Sequence, residues 1–348
     1  MNDVARLAGV SPATVSRTLS GSRRVDPELQ SRVKAAAKQL GYRVNLIGRT
    51  LRRQQSSVIG LIIPDLENPF FASVAHKLSE AFIPFDTDLL VFNAASSLDA
   101  EFRGVQSFLG RQVDALIMTP VDEMASRAAV ELAAASVPTV QFDRRVERTD
   151  TMFVGCNNQE GLELVARHVH DHVDLNRYPP VYIGATISTS TASERLDGFR
   201  LQFGTDQPEL LGAFDAATGE AGVEQLLDGG WTSATVVTAA DVIALGVVHR
   251  LSIAGYRIPE DFKIISFDGL AISQMANPTL TTVRQPMEAM ARTTQSVLYE
   301  AFEGDGADRR ADRLLTPTLM VGQSCPSSSI RSAPAGRPLP PARPAAAH

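Results

Sequence analysis

The sequence has few of the features that mark secreted, membrane-spanning or metal-binding proteins. It contains only two cysteines in 348 residues, Cys156 and Cys325, which lie too far apart to suggest a zinc site or a disulfide framework. No apolar run approaches the roughly 20 residues that cross a bilayer. The first ten residues, MNDVARLAGV, lack the apolar stretch of a signal peptide. We therefore expect a cytoplasmic protein with no membrane partner, no metal and no cofactor.

The sequence also lacks the common short motifs of catalysis and nucleotide binding. It has no GxSxG, GxxxxGK[ST] or GxGxxG segment. His168 and His172 are spaced so that they could bind a metal on one helix face, but no third ligand is evident and a solvated helix face is the better interpretation. An enzyme is therefore not expected, although doubly wound domains host many catalysts.

Charge is distributed unevenly along the chain. Residues 1–55 contain nine arginines and two lysines against three acidic residues, a net charge of +8. Because the whole chain carries −6, the remainder carries −14. A basic N-terminal segment on an acidic body indicates a polyanionic partner for that segment alone.

The basic segment reads as three short helices. Asn2 can cap the first helix and Gly9 ends it; Ser11 can cap the second ahead of Pro12, and Asp26 the third. The turn of only Gly9 and Val10 favours a helix-turn-helix unit with a projecting second helix. The apolar side chains expected to form its core are Val4, Leu7, Val10, Val15, Leu19, Val33, Ala37 and Leu40.

From residue 57 to about 322, short apolar strands alternate with helical stretches, which is typical of a parallel α/β sheet. The number of units fits two doubly wound subdomains with a cleft between them. The predicted strands are VIGLII (58–63), DLLVF (88–92), ALIMT (115–119), TVQF (139–142), VYIGA (181–185), ATVVT (234–238) and KIISF (263–267).

Many ordered segments together resemble the LacI/GalR repressor family. They include DVARLAGVSPATVSRTLSG, VKAAAKQLGYRVNLIGRTLR, IGLIIPDLENPFF, FDRR, SERLDGFR, ADVIALGVVHRLSIAGYRIPEDFKIISFDG and LTTVRQP, and the resemblance extends over nearly all of residues 2–324. The resemblance implies a repressor of carbohydrate-utilisation genes, with a small helical DNA-binding head and a periplasmic-binding-protein-like domain that senses a sugar-like effector. A secreted sugar-binding protein is the rival interpretation, which the basic head and the missing signal peptide oppose.

The resemblance implies that the second helix of the head enters the major groove. Pro12, Ala13 and Arg17 then fall on base-reading positions. Of these, only Arg17 has a guanidinium group, which can donate two hydrogen bonds to guanine. Ser11 also belongs to the expected DNA-contacting set, and Thr14, Ser16 and Asn45 are expected to contact phosphates. Residues 45–53 match the family's hinge helix, with Leu51 as the leucine that inserts into the minor groove. Two departures occur here, Val44 for proline and Gly48 for alanine.

In the sensing domain, the resemblance places a set of polar and aromatic residues on sugar-binding positions. Carboxylates and guanidinium groups would bind hydroxyls while aromatic rings pack on ring carbons. The set comprises Asn68, Phe70, Phe71, Asp143, Arg144, Arg195, Phe214, Asp241, Asp268 and Gln285. Ala240 stands where the family usually has asparagine, so one hydroxyl-binding amide is missing. A nucleobase or phosphorylated metabolite acting as co-repressor is the alternative effector.

These observations predict four segments and a homodimer. The segments are a helix-turn-helix head (1–44), a hinge (45–55), an effector domain (56–323) and a disordered Pro/Ala-rich tail (324–348). The two subdomains of the effector domain are expected at 56–155 plus 285–313 and at 156–284 plus 314–323. A Pro-rich tail cannot form a coiled coil, so we expect a dimer and not a tetramer, bound to a pseudo-palindromic operator.

Overall fold

The computed structural model describes residues 2–20, 26–40, 56–303 and 312–327. The chain divides into two compact units, Met1–Ser57 and Val58–His348. The first unit is helical and the second contains two mainly parallel sheets with helices between their strands. None of the helices in these ranges is both long and apolar enough to span a bilayer. The predicted fold class is confirmed.

The small unit contains α1 (Asn2–Ala8), α2 (Pro12–Ser20) and α3 (Pro27–Gln39). Ser11 Oγ accepts a hydrogen bond from the backbone N–H of Thr14 at 3.1 Å, and Asp26 Oδ1 accepts from the N–H of Glu28 at 2.9 Å. Both predicted caps are therefore present. Asn2, in contrast, lies inside α1 instead of capping it.

Gly9 ends α1 in the left-handed conformation with φ of 63°. A Cβ atom here would lie 2.7 Å from Nη2 of Arg32, which donates a 2.6 Å hydrogen bond to the carbonyl of Ala8. Glycine therefore permits both the turn and this bond between α3 and the end of α1.

The core of the small unit is built mainly from valine and alanine. Its buried side chains are Val4, Ala5, Ala8, Val15, Val33, Ala36 and Ala37, with Val10 packed against them. Two predicted core residues are wrong, because Leu7 and Leu40 are 47% and 46% exposed. Each lies at a helix end where the small core is already filled by alanine.

The large unit consists of two lobes, each built on one six-stranded sheet. The first sheet is parallel throughout, in the order β11-β5-β4-β3-β1-β2. Its strands are β1 (Val58–Ile63), β2 (Asp88–Asn93), β3 (Ala115–Met118), β4 (Thr139–Phe142), β5 (Met152–Cys156) and β11 (Asp312–Leu315). The inner strands are buried along nearly their whole length because helices cover both faces.

The second sheet has the order β12-β10-β9-β8-β6-β7, and only the β10–β12 pair is antiparallel. Its strands are β6 (Pro180–Ala185), β7 (Glu209–Gly212), β8 (Ala234–Thr238), β9 (Phe262–Asp268), β10 (Thr281–Arg284) and β12 (Thr318–Met320).

The helices of the large unit follow the same alternation. They are α4 (Pro69–Phe82), α5 (Leu98–Gly110), α6 (Arg127–Ser136), α7 (Asn158–His172), α8 (Ser190–Phe203), α9 (Ala216–Asp228), α10 (Asp241–Ile253), α11 (Ala271–Met275) and α12 (Met287–Glu303), with a 3-10 turn at Ile83–Phe85.

The chain crosses between the lobes three times, after β5, after β10 and after β11. The first crossing follows Cys156, one residue beyond the predicted boundary. The third is predicted at 313/314 but lies between Leu315 and Thr318, because Leu314 and Leu315 pair with β5 in the first sheet. Both lobes are therefore built from segments that are distant in sequence.

The segment that follows β12 is also ordered further than predicted. The backbone N–H of Ser324 donates to the carbonyl of Thr279 at 2.9 Å, and the carbonyl of Cys325 accepts from Thr281 Oγ1 at 2.8 Å. Ser324 and Cys325 are fully buried. The predicted start of the disordered tail at 324 is therefore wrong, and the predicted tail from 328 onward lies outside the described residues.

Candidate functional site

The candidate effector site lies where strands of both lobes end. In open parallel sheets, ligands bind beyond the carboxyl ends of the strands. Asp143 directly follows β4 in the first lobe, and Asp268 is the last residue of β9 in the second. Both have positive φ, 64° and 116°, which is costly for residues other than glycine. The surrounding fold holds two buried carboxylates in strained backbone positions, as functional sites often do.

Asn68 and two phenylalanines form the first-lobe wall. Asn68 caps α4 by accepting a hydrogen bond from the N–H of Phe70 at 3.0 Å, and its Nδ2 donates across the cleft to the carbonyl of Phe214 at 3.4 Å. Phe70 and Phe71 begin α4 with their rings edge to face, 5.2 Å apart. The helix cap therefore also connects the two lobes.

Arg144 lies between aromatic rings of the two lobes. Its guanidinium carbon is 5.3 Å from the ring centroid of Phe71 and 5.1 Å from that of Phe214. Its Nε is 4.0 Å from Asp143 Oδ2, an ion pair that is too long for a hydrogen bond. The buried cation is thus stabilised chiefly by the faces of two rings.

Arg195 anchors the second-lobe side of the site. It projects from α8, stacks 4.0 Å over the ring of Phe267 and donates from Nη1 to the carbonyl of Ala239 at 2.7 Å. The same Nη1 is 3.3 Å from Asp268 Oδ1, which also accepts from Gln285 Nε2 at 2.9 Å. Asp268 is therefore positioned from two directions.

Burial dominates the electrostatics of the two carboxylates. It raises the pKa of Asp268 to about 7, although the nearby Arg195 opposes the rise. Burial also raises the pKa of Asp143, against the lowering effects of Arg195 and Arg144. A ligand that donates hydrogen bonds to these carboxylates would stabilise their charged forms.

These residues line a narrow cavity of about 10 Å³ between the lobes. The side chains that line it are Asn68, Phe70, Phe71, Asp143, Arg144, Thr191, Arg195, Phe214 and Asp268. Asp143 Oδ1, Arg144 Nε and Gln285 Oε1 are buried and have no hydrogen-bond partner within the described part of the chain. Unpartnered buried polar atoms are costly, so these acceptors and this donor suit a polar ligand.

One predicted effector contact is wrong. Asp241 is fully buried and accepts hydrogen bonds from the hydroxyls of Ser266 and Thr282 and from the N–H of Leu270. Its carboxylate therefore ties α10 to β9 and β10 and does not line the cavity. Ala240, which precedes it, is buried and offers no side-chain cap to α10.

Two residues near the site were missed by sequence reasoning. Thr191 lines the cavity from the start of α8, and its position just before the SERLDGFR segment was the available signal. Glu101 is a buried carboxylate on α5 that accepts from the N–H of Val121 at 2.9 Å, and burial raises its pKa. Its place in a helix with the ordinary amphipathic pattern gave no signal.

The predicted DNA-contacting residues lie only partly in the described region. Pro12 and Ala13 are exposed on the first turn of α2. Ser11 is also exposed, and its hydroxyl lies 2.9 Å from that of the half-buried Thr14. The side chains of Ser16 and Arg17 fall outside the described residues, as do Asn45, Leu51 and the whole predicted hinge.

The histidines of α7 have structural surroundings. His168 Nε2 lies 2.9 Å from the carbonyl oxygen of Cys325, and its ring packs edge to face on that of His172, 4.9 Å away. No group of three or more potential metal ligands occurs within the described ranges. His168 thus helps to fix the segment after β12.

Two family models match the chain. The model described as "Bacterial regulatory proteins, lacI family" matches residues 1–45, and the model described as "Periplasmic binding protein-like domain" matches residues 181–325. These two regions lie in the small helical unit and in the second half of the large unit.

Relatives of similar length match most of the chain. The chain is 26% identical to the ribose operon repressor of Escherichia coli strain K12 over 326 residues, which is 92% of this chain and 98% of the relative. It is 26% identical to the transcriptional repressor PurR of Aliivibrio salmonicida over 318 residues, covering 89% and 94% of the two chains. In fold it is similar to the Lac repressor dimer bound to operator and the anti-inducer ONPF, with a TM-score of 0.79, 24% identity and coverage of 93% and 98%.

Proposed function

The chain belongs to the lacI family of bacterial regulatory proteins, and from that premise we propose that it represses carbohydrate-utilisation genes under the control of a small neutral polyol bound between its lobes. The family consists of DNA-binding transcriptional regulators, so the chain is a regulator with an effector-binding domain and not an enzyme. The sugar-like nature of the effector and the operator contacts are the proposed parts.

For DNA binding, the proposal rests on the +8 charge of residues 1–55 and on the exposed first turn of α2. Pro12, Ala13 and Arg17 read bases in the major groove, with Arg17 pairing to guanine. Ser11, Thr14, Ser16 and Asn45 contact the backbone, and Leu51 opens the minor groove. The protein acts in this way on cytoplasmic DNA.

Gel-shift selection with genomic fragments tests this part. An Arg17→Ala variant should lose affinity for the selected fragment by roughly 1–3 kcal/mol and keep its affinity for random DNA at the same salt concentration. Equal losses on both DNAs would show that Arg17 contacts only phosphate.

For the effector, the observation that carries the proposal is the pair of unpartnered buried atoms on Asp143 and Arg144 in an aromatic-walled cavity, with a third on Gln285, which contacts the cavity residue Asp268. Acceptors, donors and ring faces at one site match a ring that has hydroxyls at its edge and C–H groups on its faces.

The charges of the cavity favour an uncharged ligand. Arg144 lies 4.0 Å from Asp143 and Arg195 lies 3.3 Å from Asp268, so each guanidinium group has a carboxyl group beside it that a phosphate group would have to displace. A nucleobase co-repressor is the second candidate, because PurR is among the relatives. Since a purine presents ring nitrogens to the site, we expect it to satisfy Asp143 and Asp268 less fully than hydroxyl groups do.

A thermal-shift screen distinguishes these effector classes. Pentoses, hexoses, polyols, their phosphates and purines are compared, with D-ribose as the first probe. We expect one or more free monosaccharides to raise the melting temperature, by an amount that grows with concentration. Stabilisation only by a sugar phosphate or only by a purine would overturn the proposed effector class.

We further propose a homodimer that uses exposed apolar residues of the large unit. Leu90 and Val91 are exposed on β2, an edge strand, and Ile83 and Phe85 are exposed in the turn after α4. An exposed apolar edge strand favours pairing with another chain. Light scattering at micromolar concentration should give the dimer mass, and Ile83→Lys should shift it toward the monomer. A tetramer would contradict the proposal.

A further inference from the structure

Arg145, the neighbour of Arg144, contacts both lobes. Its guanidinium stacks 5.0 Å from the ring centroid of Phe153 on β5 and donates from Nη1 to Asp312 Oδ2 of β11 at 2.7 Å. Its Nη2 reaches Glu194 Oε1, on α8 of the second lobe, at 3.2 Å. Its backbone N–H donates to Ser190 Oγ, also on α8, at 3.1 Å.

Glu194 continues these contacts into the effector cavity. Its Oε2 accepts a hydrogen bond from Asn158 Nδ2 at 2.7 Å, and Asn158 Oδ1 accepts from Arg195 Nε at 2.9 Å. Arg195 in turn lies 3.3 Å from Asp268. A continuous series of polar contacts therefore joins the cavity to Arg145 and to β11.

Among the described residues, one ion pair of Arg145 crosses between the lobes, the pair with Glu194. Asp312 and Glu147, the latter 3.7 Å away, belong to the same lobe as Arg145 and would accompany it if the lobes separated. Glu194 belongs to the other lobe and would lose its cation. The Arg145–Glu194 pair therefore forms only when the lobes are closed, and its free energy biases the equilibrium between open and closed forms.

We propose that Arg145 is a positioning residue that stabilises the closed arrangement through Glu194 and so controls how readily the cleft accepts its effector. The inference extends the proposed function, since it requires only that the effector binds between the lobes. Both side chains are partly exposed, so the pair should change the closed-to-open ratio by roughly two- to fivefold. The apparent effector affinity should change by up to the same factor, because it scales with the fraction of protein in the closed form that binds the effector.

The first test measures the distance between the lobes without any effector. Met124 and Ile187 are exposed residues of opposite lobes on loops that adjoin, since the N–H of Glu123 donates to the carbonyl of Ser188 at 2.8 Å. Spin labels on Met124→Cys and Ile187→Cys would measure the distance between the lobes. The two native cysteines are buried and should not take up the label.

Glu194→Gln should reduce the short-distance population by about two- to fivefold relative to the longer one. The matched control is Arg200→Gln, which removes a pair with Glu209 that lies wholly within the second lobe at 2.7 Å. The control should leave the distance distribution unchanged. An unchanged distribution in Glu194→Gln, or an equal change in the control, would overturn the proposal.

The second test uses calorimetric titration with D-ribose. Arg145→Gln and Glu194→Gln should each weaken binding two- to fivefold. The double variant should bind with the affinity of the weaker-binding single variant, because all three variants lose the same interaction. Arg145→Lys keeps the cation and should retain most of the affinity. Additive losses would contradict the pair. If D-ribose fails to bind the unaltered protein, the proposed effector is wrong, whereas the distance measurement still decides the role of Arg145.

Discussion

Replacing Asp241 distinguishes a structural carboxylate from an effector ligand. The family resemblance places Asp241 among the sugar contacts, whereas the structure directs its carboxylate into the second lobe. Asp241→Ala would leave three buried donors, the hydroxyls of Ser266 and Thr282 and the N–H of Leu270, without their acceptor. Each unsatisfied buried group costs about 1–3 kcal/mol, so even the lower bound gives a loss of roughly 3 kcal/mol.

For a unit of this size, that loss lowers the melting temperature by roughly 6–12 °C. Asp241→Asn should cost much less, because the amide oxygen can accept from Leu270 while both hydroxyls rotate to accept from the amide nitrogen. Effector affinity of folded Asp241→Asn should remain within about twofold of the unaltered protein, since the residue does not line the cavity. Calorimetric unfolding and effector titration measure the two quantities. A stable Asp241→Ala protein that no longer binds the effector would refute this reasoning.

Three further predictions concern the effector cavity and the hinge. Arg144→Ala should weaken effector binding by at least tenfold, since a hydrogen bond to a charged group contributes about 1.5–3 kcal/mol; operator binding without effector should persist, and a normal effector response would contradict the site. The pKa of Asp268 is about 7 in the folded protein and 3.8 in the unfolded chain. Protonation of Asp268 therefore adds to the free energy of unfolding, fully below pH 3.8, and this contribution is lost as the pH rises to 7. Unfolding between pH 5 and 7 should therefore show a loss of about 2 kcal/mol that Asp268→Asn removes, and equal slopes in both proteins would contradict it. Gly48→Ala should tighten operator binding by up to roughly tenfold to thirtyfold in a dimer, because glycine costs a helix about 1 kcal/mol per copy; unchanged affinity in gel shifts would mean that residues 45–53 do not fold on DNA.

Much of the fold could be predicted because the inner strands carry an unambiguous pattern. VIGLII, TVQF and ATVVT are apolar runs that become buried strands with the predicted bounds. Five strands were missed. Two of them, β5 and β10, are inner strands with mostly buried side chains, whereas β7, β11 and β12 have three or four residues at sheet edges and keep partly exposed side chains. Short edge strands form because a neighbouring strand offers free backbone hydrogen-bonding groups. Their own sequences give little indication of this pairing.

The candidate site was predictable where a residue type and its place in the chain had one interpretation. The family resemblance placed Asp143 and Asp268 in the effector site, and the structure brings them together in one cavity at the carboxyl ends of β4 and β9. Asp241 also follows a strand, β8, and differs only in the direction of its carboxylate, which packing against Ser266 and Thr282 decides. The contacts of Arg145 could not be predicted from the FDRR segment, because its partners Glu194 and Asp312 are distant in sequence.

The three crossings between the lobes also determine when each lobe can be completed during synthesis. The β5 strand ends at Cys156, but its outer neighbour β11 begins only at Asp312, after most of the second lobe has been made. At about 5–20 residues per second, the ribosome needs roughly 10–30 s to supply it. For that time β5 has an unpaired edge on a nascent chain, and an unpaired edge can recruit other strands. A nascent chain halted before residue 312 should therefore aggregate more readily than one released at full length.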